Sequence, residues 1–329
     1  MRAVGSRPFL SPAAALRKER MATSIWFWII FNVVVLALLA IDLGVFHRRA
    51  HVVGIKEAAI WSAVWIALSL LFAFGLYTFE GSKQATEFLT GYLIEKSLSV
   101  DNIFVMVLIF SYLGVPARYQ HRVLFWGILG ALIMRGLFIA VGAFLLATFH
   151  WVIYVFGALL VVTGARMALR EEKPPEIEGN PLVRLASRFV PITSKYHGQS
   201  FFAIENARRV ATPLFLAVLL VEFTDLVFAL DSIPAIFAVT RDPFLVYTSN
   251  VCAILGLRAL YFVLAGVVTR FYLLRYGLAV ILVFVGAKML LDHFYEIPVT
   301  LALGVIAVVL TVTILASLWI PQKTTKKAT

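Results

Sequence analysis

Six carboxylates, Asp42, Glu95, Asp101, Glu222, Asp225 and Asp231, stand inside long apolar runs of this chain. An ionised carboxylate in the middle of such a run, if the run lies in a membrane, costs about 2.5–3.5 kcal/mol on insertion scales. That cost is met only where the acid faces a polar interior with counter-charges. Arg135 and Arg258 are the internal candidates for that role, and Lys96 adds one charge. Arg166 and Lys288 lie near run ends, where long side chains reach water. Two or three cations do not neutralise this many acids, and the surplus negative charge suits a divalent cation or transferable protons. The competing reading is that the acids only pair with Arg135, Arg258 and Lys96 to hold helices in register. A buried ion pair is a weak stabiliser, so register alone is a poor reason for so many.

The donors near these acids are oxygens: Asn102, Ser97, Ser99, Thr224, Ser232 and Asn250, with no histidine in the middle of a run. Oxygen-only coordination favours Mg, Ca or Mn over Zn or Cu and does not choose among the first three. Glu222 and Asp225 are three residues apart and share a helical face. Glu95 and Asp101 are six apart, about 240° of rotation on an ideal helix, and do not. For both to address one ion, the helix must be broken near them; Pro234 beside Asp231 makes a similar break plausible.

The elements that must position these acids follow from composition. Residues are 61% hydrophobic and 14% charged, gathered in runs of about twenty, long enough to cross a hydrocarbon core. Nine runs read as spans: 24–46, 58–78, 87–113, 123–146, 150–169, 213–238, 246–268, 274–291 and 298–320. The net charge of +11 invites a nucleic-acid reading, but the basic residues sit in short loops beside spans, with no stacking motif among them. Alternate loops carry seventeen basic residues against two, Lys83 and Arg241. The basic set faces the cytoplasm, which puts the C-terminus inside and the N-terminus outside. Residues 1–20, with five basic residues, resist that placement and are expected to be an over-called start, with Met21 the true one, or a removed leader. The 170–211 segment reads as a cytoplasmic loop with a short amphipathic helix, and its opening, Glu171-Glu172-Lys173-Pro174-Pro175, stops the preceding helix by charge and by Pro.

Two stretches repeat. Glu95-x5-Asp101-Asn102-Ile103 matches Asp225-x5-Asp231-Ser232-Ile233; Ile128-Leu129-Gly130 matches Ile254-Leu255-Gly256. Arg135-Gly136-Leu137-Phe138 then matches Arg258-Ala259-Leu260-Tyr261, and Gly164-Ala165-Arg166-Met167 matches Gly286-Ala287-Lys288-Met289. Each copy holds three spans, so the second enters the membrane from the opposite side, the inverted repeat of many secondary transporters. The fold class expected is an all-α polytopic membrane protein of about nine transmembrane helices. It divides into a tail (1–23), two leading helices (24–86), repeat 1 (87–169), the loop (170–211), inverted repeat 2 (212–292), and a last helix with a basic tail (293–329). Counting along the spans puts Asp101 level with Asp225 near the midplane, and Glu95 level with Asp231 about 9 Å further out.

Enzyme signatures do not appear: no Walker loop, HExxH, GxSxG or Cys/His cluster, and one cysteine, Cys252. The chain reads as a non-enzyme without a prosthetic group, in contact with lipid and not nucleic acid. An oligomer or a membrane-protein partner stays open.

Three stretches, 87–102, 119–127 and 222–236, carry a family likeness: over roughly 24–320 the chain resembles the TerC family of bacterial integral membrane proteins, named for an association with tellurium resistance. The resemblance rests on Glu87-Phe88-Leu89-Thr90-Gly91-Tyr92-Leu93-Ile94-Glu95-Lys96-Ser97-Leu98-Ser99-Val100-Asp101-Asn102 and on Tyr119-Gln120-His121-Arg122-Val123-Leu124-Phe125-Trp126-Gly127. It rests equally on Glu222-Phe223-Thr224-Asp225 through Asp231-Ser232-Ile233-Pro234-Ala235-Ile236. It implies a manganese exporter of the inner membrane, with Glu95, Asp101, Glu222, Asp225 and Asp231 as its membrane acids. Asn102, Ser232, Asp42, Arg135 and Arg258 are expected to support them, and proton coupling is an expectation. The same family includes proteins tied to metal loading of secreted enzymes and to thylakoid assembly, so the rivals are an assembly or metalation factor that moves no ion, or an exporter of another cation or an organic solute.

Overall fold

The computed structural model describes residues 25–41, 53–169, 190–205, 208–265, 273–291, 294–295 and 297–319. Asp42, Met21 with the segment before it, the first half of the 170–211 loop, and the basic tail lie outside the described residues. The described residues form ten helices and one two-stranded hairpin. Residues up to Arg48 and those from Arg49 onward make two units. The first contains α1 (Ile25–Ile41), an apolar helix of 17 residues. The second contains α2 (Ile55–Phe79), α3 (Ser82–Leu113), α4 (Ala117–Thr148), α5 (Val152–Leu169), the strands β1 (Phe202–Glu205) and β2 (Arg208–Ala211), and α6 (Pro213–Phe237). After these come α7 (Pro243–Leu255), α8 (Leu257–Leu264), α9 (Leu274–Leu291) and α10 (Val299–Trp319).

Six described helices are long and apolar enough to cross a membrane, α2, α4, α5, α6, α9 and α10, and a seventh span results if α7 and α8 count as one. The α3 helix is not among them, because Glu87, Glu95, Lys96 and Asp101, with its Ser, Thr and Asn residues, dilute its apolar character. Its 32 residues still reach about 48 Å at 1.5 Å each. It is also enclosed on several sides, packed against α2, α6, α7 and α10. Conversely α10 buries only Ala302, Ile306 and Ser317, and leaves Leu301, Val308, Val312 and Leu315 exposed. An apolar face of that kind is stable against lipid and not against water.

Two sequence expectations about helix continuity are corrected. The α3 helix runs unbroken through Glu95 and Asp101, and α6 runs unbroken through Asp231 and Pro234. The break falls instead at Gly256, where α7 and α8 meet at 41°. The bend leaves carbonyls at the end of α7 without helical donors, and Lys96 of α3 supplies one, its Nζ lying 3.2 Å from the Ala253 oxygen. A cation there also suits the negative end of the helix dipole. Lys288 does the same for α6, donating to the Ala238 carbonyl at 2.6 Å.

The described half of the 170–211 loop carries a hairpin; the short amphipathic helix expected in this loop is not among those residues, and 170–189 lie outside the described residues. The hairpin register pairs Phe202 with Ala211 and Glu205 with Arg208. It docks on helix ends: the Tyr196 hydroxyl donates to the Leu113 carbonyl of α3 at 2.8 Å, Arg122 of α4 donates to Gln199, and Phe202 packs on Phe215 of α6. Docking through side chains of distant sequence is invisible to local periodicity.

The closest helix pair is α5 with α9. A Cβ on Gly157 would lie 3.1 Å from the Gly286 carbonyl, and one on Gly286 would lie 2.7 Å from the Gly157 carbonyl. A Cβ on Gly164 would lie 2.8 Å from the Ala279 carbonyl. Larger side chains at these positions cannot be accommodated at this separation.

Candidate functional site

Four helices meet at one side chain. Arg135, on α4, is the largest fully buried side chain, 1% exposed. Its Nε and Nη2 grip both oxygens of Asp225 on α6, at 3.0 Å and 2.7 Å, a bidentate fork. Its Nη1 pairs with Glu95 of α3 and reaches Asn250 Oδ1 of α7 at 3.1 Å and Ser232 Oγ of α6 at 3.4 Å. Asn250 donates to the second Glu95 oxygen at 3.0 Å, and Asn102 of α3 donates to Asp225 at 3.2 Å. Two carboxylates thus face one guanidinium, with amide and hydroxyl groups closing the ring. Glu95 and Asp225 are 1% and 4% exposed.

Each member is placed by ordinary helical spacing. Asn102 is seven residues from Glu95 and Ser232 is seven from Asp225, two turns along the same face. The sequence-based pairing by depth is corrected here: Glu95, and not Asp101, stands beside Asp225. The reason is the start of α3. Because that helix begins at Ser82, Glu95 is its fourteenth residue, while Asp225 is thirteenth from the opposite end of α6 at Phe237.

The other acids do not join this ring. Asp231 accepts from Thr163 of α5 at 3.0 Å and is half-buried, as are Asp101 and Glu222. Glu222 lies directly against the backbone of α4 at Gly130, where a Cβ would overlap its carboxylate. Arg258, on α8, lines a small cavity with Asp225, Met106 and Leu124, and is 7% exposed. Among the described residues, no three His, Cys, Asp or Glu side chains converge as a ready metal cage. Around the ring, the buried oxygens Asn102 Oδ1 and Glu222 Oε2 have no hydrogen-bond partner among the described residues. Sequence reasoning named Asn250 only as a neutral donor; its position in the ring depends on how α7 is rotated, which no local pattern encodes.

The match to known proteins is broad. The profile of the integral membrane protein TerC family matches residues 80–325, which spans the ring and every acid around it. The chain belongs to the TerC family. It is 55% identical over 291 residues to an uncharacterised membrane protein, STKORF319, of Myxococcus xanthus, covering 88% of this chain and 91% of that one. It is 50% identical over 309 residues to the Escherichia coli K12 protein Alx, named as a candidate membrane-bound redox modulator, covering 91% and 96%. An uncharacterised membrane protein of Rickettsia bellii is 41% identical over 290 residues, covering 88% and 96%. No solved structure matches. This TerC protein is therefore a multi-pass integral membrane protein with bacterial relatives.

Proposed function

We propose that this protein is an inner-membrane transporter that exports a divalent cation, Mn2+, from the cytoplasm by alternating access. The observation that carries the reading is the ring around Arg135, formally one negative charge in excess and built wholly from oxygen acceptors around a tethered cation. A guanidinium held by two carboxylates in a dry interior occupies the place a mobile cation would take. In the empty state Arg135 satisfies Glu95 and Asp225. An arriving divalent ion competes for the same oxygens, and Asn102 Oδ1, with no other partner among the described residues, offers it an acceptor at once. Arg135 is then released in part. Hard oxygen donors suit Mn2+ and disfavour softer metals. Asp101, Asp231 and Glu222 would line the route to and from the ring or carry protons.

The architecture that supports this motion is a three-plus-three inverted repeat, α3–α5 against α6–α9, within nine spans that include α1, α3 and the α7–α8 pair. Several contacts favour it. Glu95 and Asp225 occupy equivalent repeat positions and grip the same arginine; Asn102 and Ser232 are likewise equivalent. The α5–α9 contact is reciprocal: Gly164 meets Ala279 and Gly286 meets Gly157, pairs that the repeat exchanges. Such a contact lies on a pseudo-two-fold axis, about which two halves can rock.

The name of the Alx relative raises a redox reading. With one cysteine, this chain cannot form an internal disulfide, so a redox effect would have to run through another species, and a redox-active metal ion is one. Export is tested by manganese tolerance in cells lacking their own exporter. Wild-type chain restores growth, while Asp101→Asn and Asp225→Asn do not. Full tolerance from an Asp225→Asn variant of normal abundance would overturn the assignment.

A further inference from the structure

The hairpin of β1 and β2 stands against the ends of two membrane-length helices. Phe202 packs on Phe215, in the first turn of α6, with ring centres 4.8 Å apart. Phe201 meets Trp126 of α4 edge-on at 6.3 Å. The register puts Phe202 and Ile204 on one face with Arg209, because paired residues of a ladder share a face. On that face Ile204 is 75% exposed and Phe202 49%, and Trp126, beside the hairpin, is 44% exposed. The other face is the packed one: Val210 is buried there, and Glu205 is held by His197 at 2.7 Å and Thr193 at 3.0 Å. Glu205 is the one acid of the described residues between 190 and 211, against Lys195, Arg208 and Arg209, all three exposed. Neither Arg208 nor Arg209 has an ion-pair partner among the described residues. Residues 170–189 lie outside the described residues and hold four Glu against four Lys and Arg, so by sequence they do not offset that excess.

We infer that this hairpin face docks on the bilayer surface at its end of the protein, with Phe202, Ile204 and Trp126 among the headgroups and Arg208 and Arg209 on anionic lipid phosphates. Two observations fix the occupant. The first is continuity: Trp126, Ile133, Leu137 and Phe144 are exposed on α4 at steps of seven, four and seven residues, one helical stripe. That stripe faces lipid along the helix, and the hairpin patch adjoins its last member. The second is charge: exposed arginines beside exposed aromatic and aliphatic groups match the boundary where acyl chains give way to anionic headgroups. The inference rests on the membrane class of the chain alone and uses no part of the ring at Arg135.

The test uses the full chain at neutral pH in nanodiscs of phosphatidylcholine, in discs that also hold phosphatidylglycerol, and in neutral detergent, with amide hydrogen exchange of 202–211 as the readout. The expected result is exchange about tenfold slower in the anionic discs than in the neutral ones, a gain that high salt removes. The double variant Arg208→Gln/Arg209→Gln should lose most of that gain. Arg208→Lys/Arg209→Lys should keep it, because a charged surface attracts either cation. A fluorescent label on Ile204→Cys, the native Cys252 being buried, should be quenched by lipid brominated near the headgroup and little by iodide in solution. Equal exchange in detergent and in both discs overturns the inference and assigns the face to residues 170–189 or another protein. Loss of the gain in the lysine pair also overturns it, since that marks a partner that needs the guanidinium fork. So does strong iodide quenching without quenching by brominated lipid.

Discussion

Arg135 is held by groups from three other helices, and its geometry makes the two kinds of cation non-equivalent. A lysine at 135 would keep the charge and lose the fork on Asp225, because an ammonium is a point charge. Arg135→Lys is expected to retain abundance and lose most transport, read as initial rate per folded protein. Arg135→Met leaves Glu95 and Asp225 facing each other with their shared counter-charge gone, and should cost about 3–5 kcal/mol, seen as a lowered unfolding midpoint in detergent. Gly130→Ala forces the Glu222 carboxylate away from α4. The loss of stability should be substantially relieved in a Gly130→Ala/Glu222→Ala double variant, measured as a double-mutant cycle. At this scale the sequence disclosed the acids well, because a charge inside an apolar run is expensive and visible. It did not disclose which acid meets which arginine. That depends on the rotation of α3, α4, α6 and α7 about their own axes, and on α3 beginning at Ser82, five residues before its apolar run.

Helices were legible where hydropathy changes abruptly: α9 has the bounds expected, 274–291, and α5 and α6 differ by no more than two residues at either end. The break was not, because the sequence pointed to the spacing of acids and to Pro234, whereas the chain bends at Gly256. Pro234 lies inside α6 one turn before its end, and it forgoes one amide bond to the preceding turn without ending the helix. The α5–α9 pair relies on bare backbone, so Gly286→Leu is expected to separate the two helices and lower thermal stability, the check being unfolding followed by intrinsic tryptophan fluorescence. The hairpin carries its own pH response. His197 Nε2 lies 2.7 Å from Glu205, and this hydrogen bond, with a second from Thr193, holds the Glu205 carboxyl below its ordinary value of 4.5. A depressed acid stabilises the folded form above its unfolded value and stops doing so as pH falls through the lowered one. Hairpin amides should therefore keep full protection from hydrogen exchange at neutral pH and lose it only below about pH 4.5, and Glu205→Gln should remove that dependence.

At the scale of the molecule, the family and the membrane class follow from long apolar runs and uninterrupted motifs, both of which survive in a linear reading. The ring at Arg135 joins residues up to 155 positions apart in the chain, between Glu95 and Asn250, and the repeat was the one linear clue to it. The sidedness expected from loop charge can be tested, because Lys83 and the hairpin stand at opposite ends of α3. Cysteines placed at Lys83 and at Arg208 should label from opposite faces of intact cells and inverted vesicles, Lys83 from outside. The central claim is that Glu95 and Asp225, gathered on Arg135, are the cation site of an exporter. Its most direct measurement is Mn2+ flux into proteoliposomes with Mg2+, Ca2+ and Zn2+ in parallel, comparing wild type with Asp225→Asn at matched protein content. The account predicts saturable Mn2+ entry by wild type, weak flux of Zn2+, and flux at the background of empty liposomes for Asp225→Asn. Equal Mn2+ flux through both proteins, or none through either while both are folded, would contradict it.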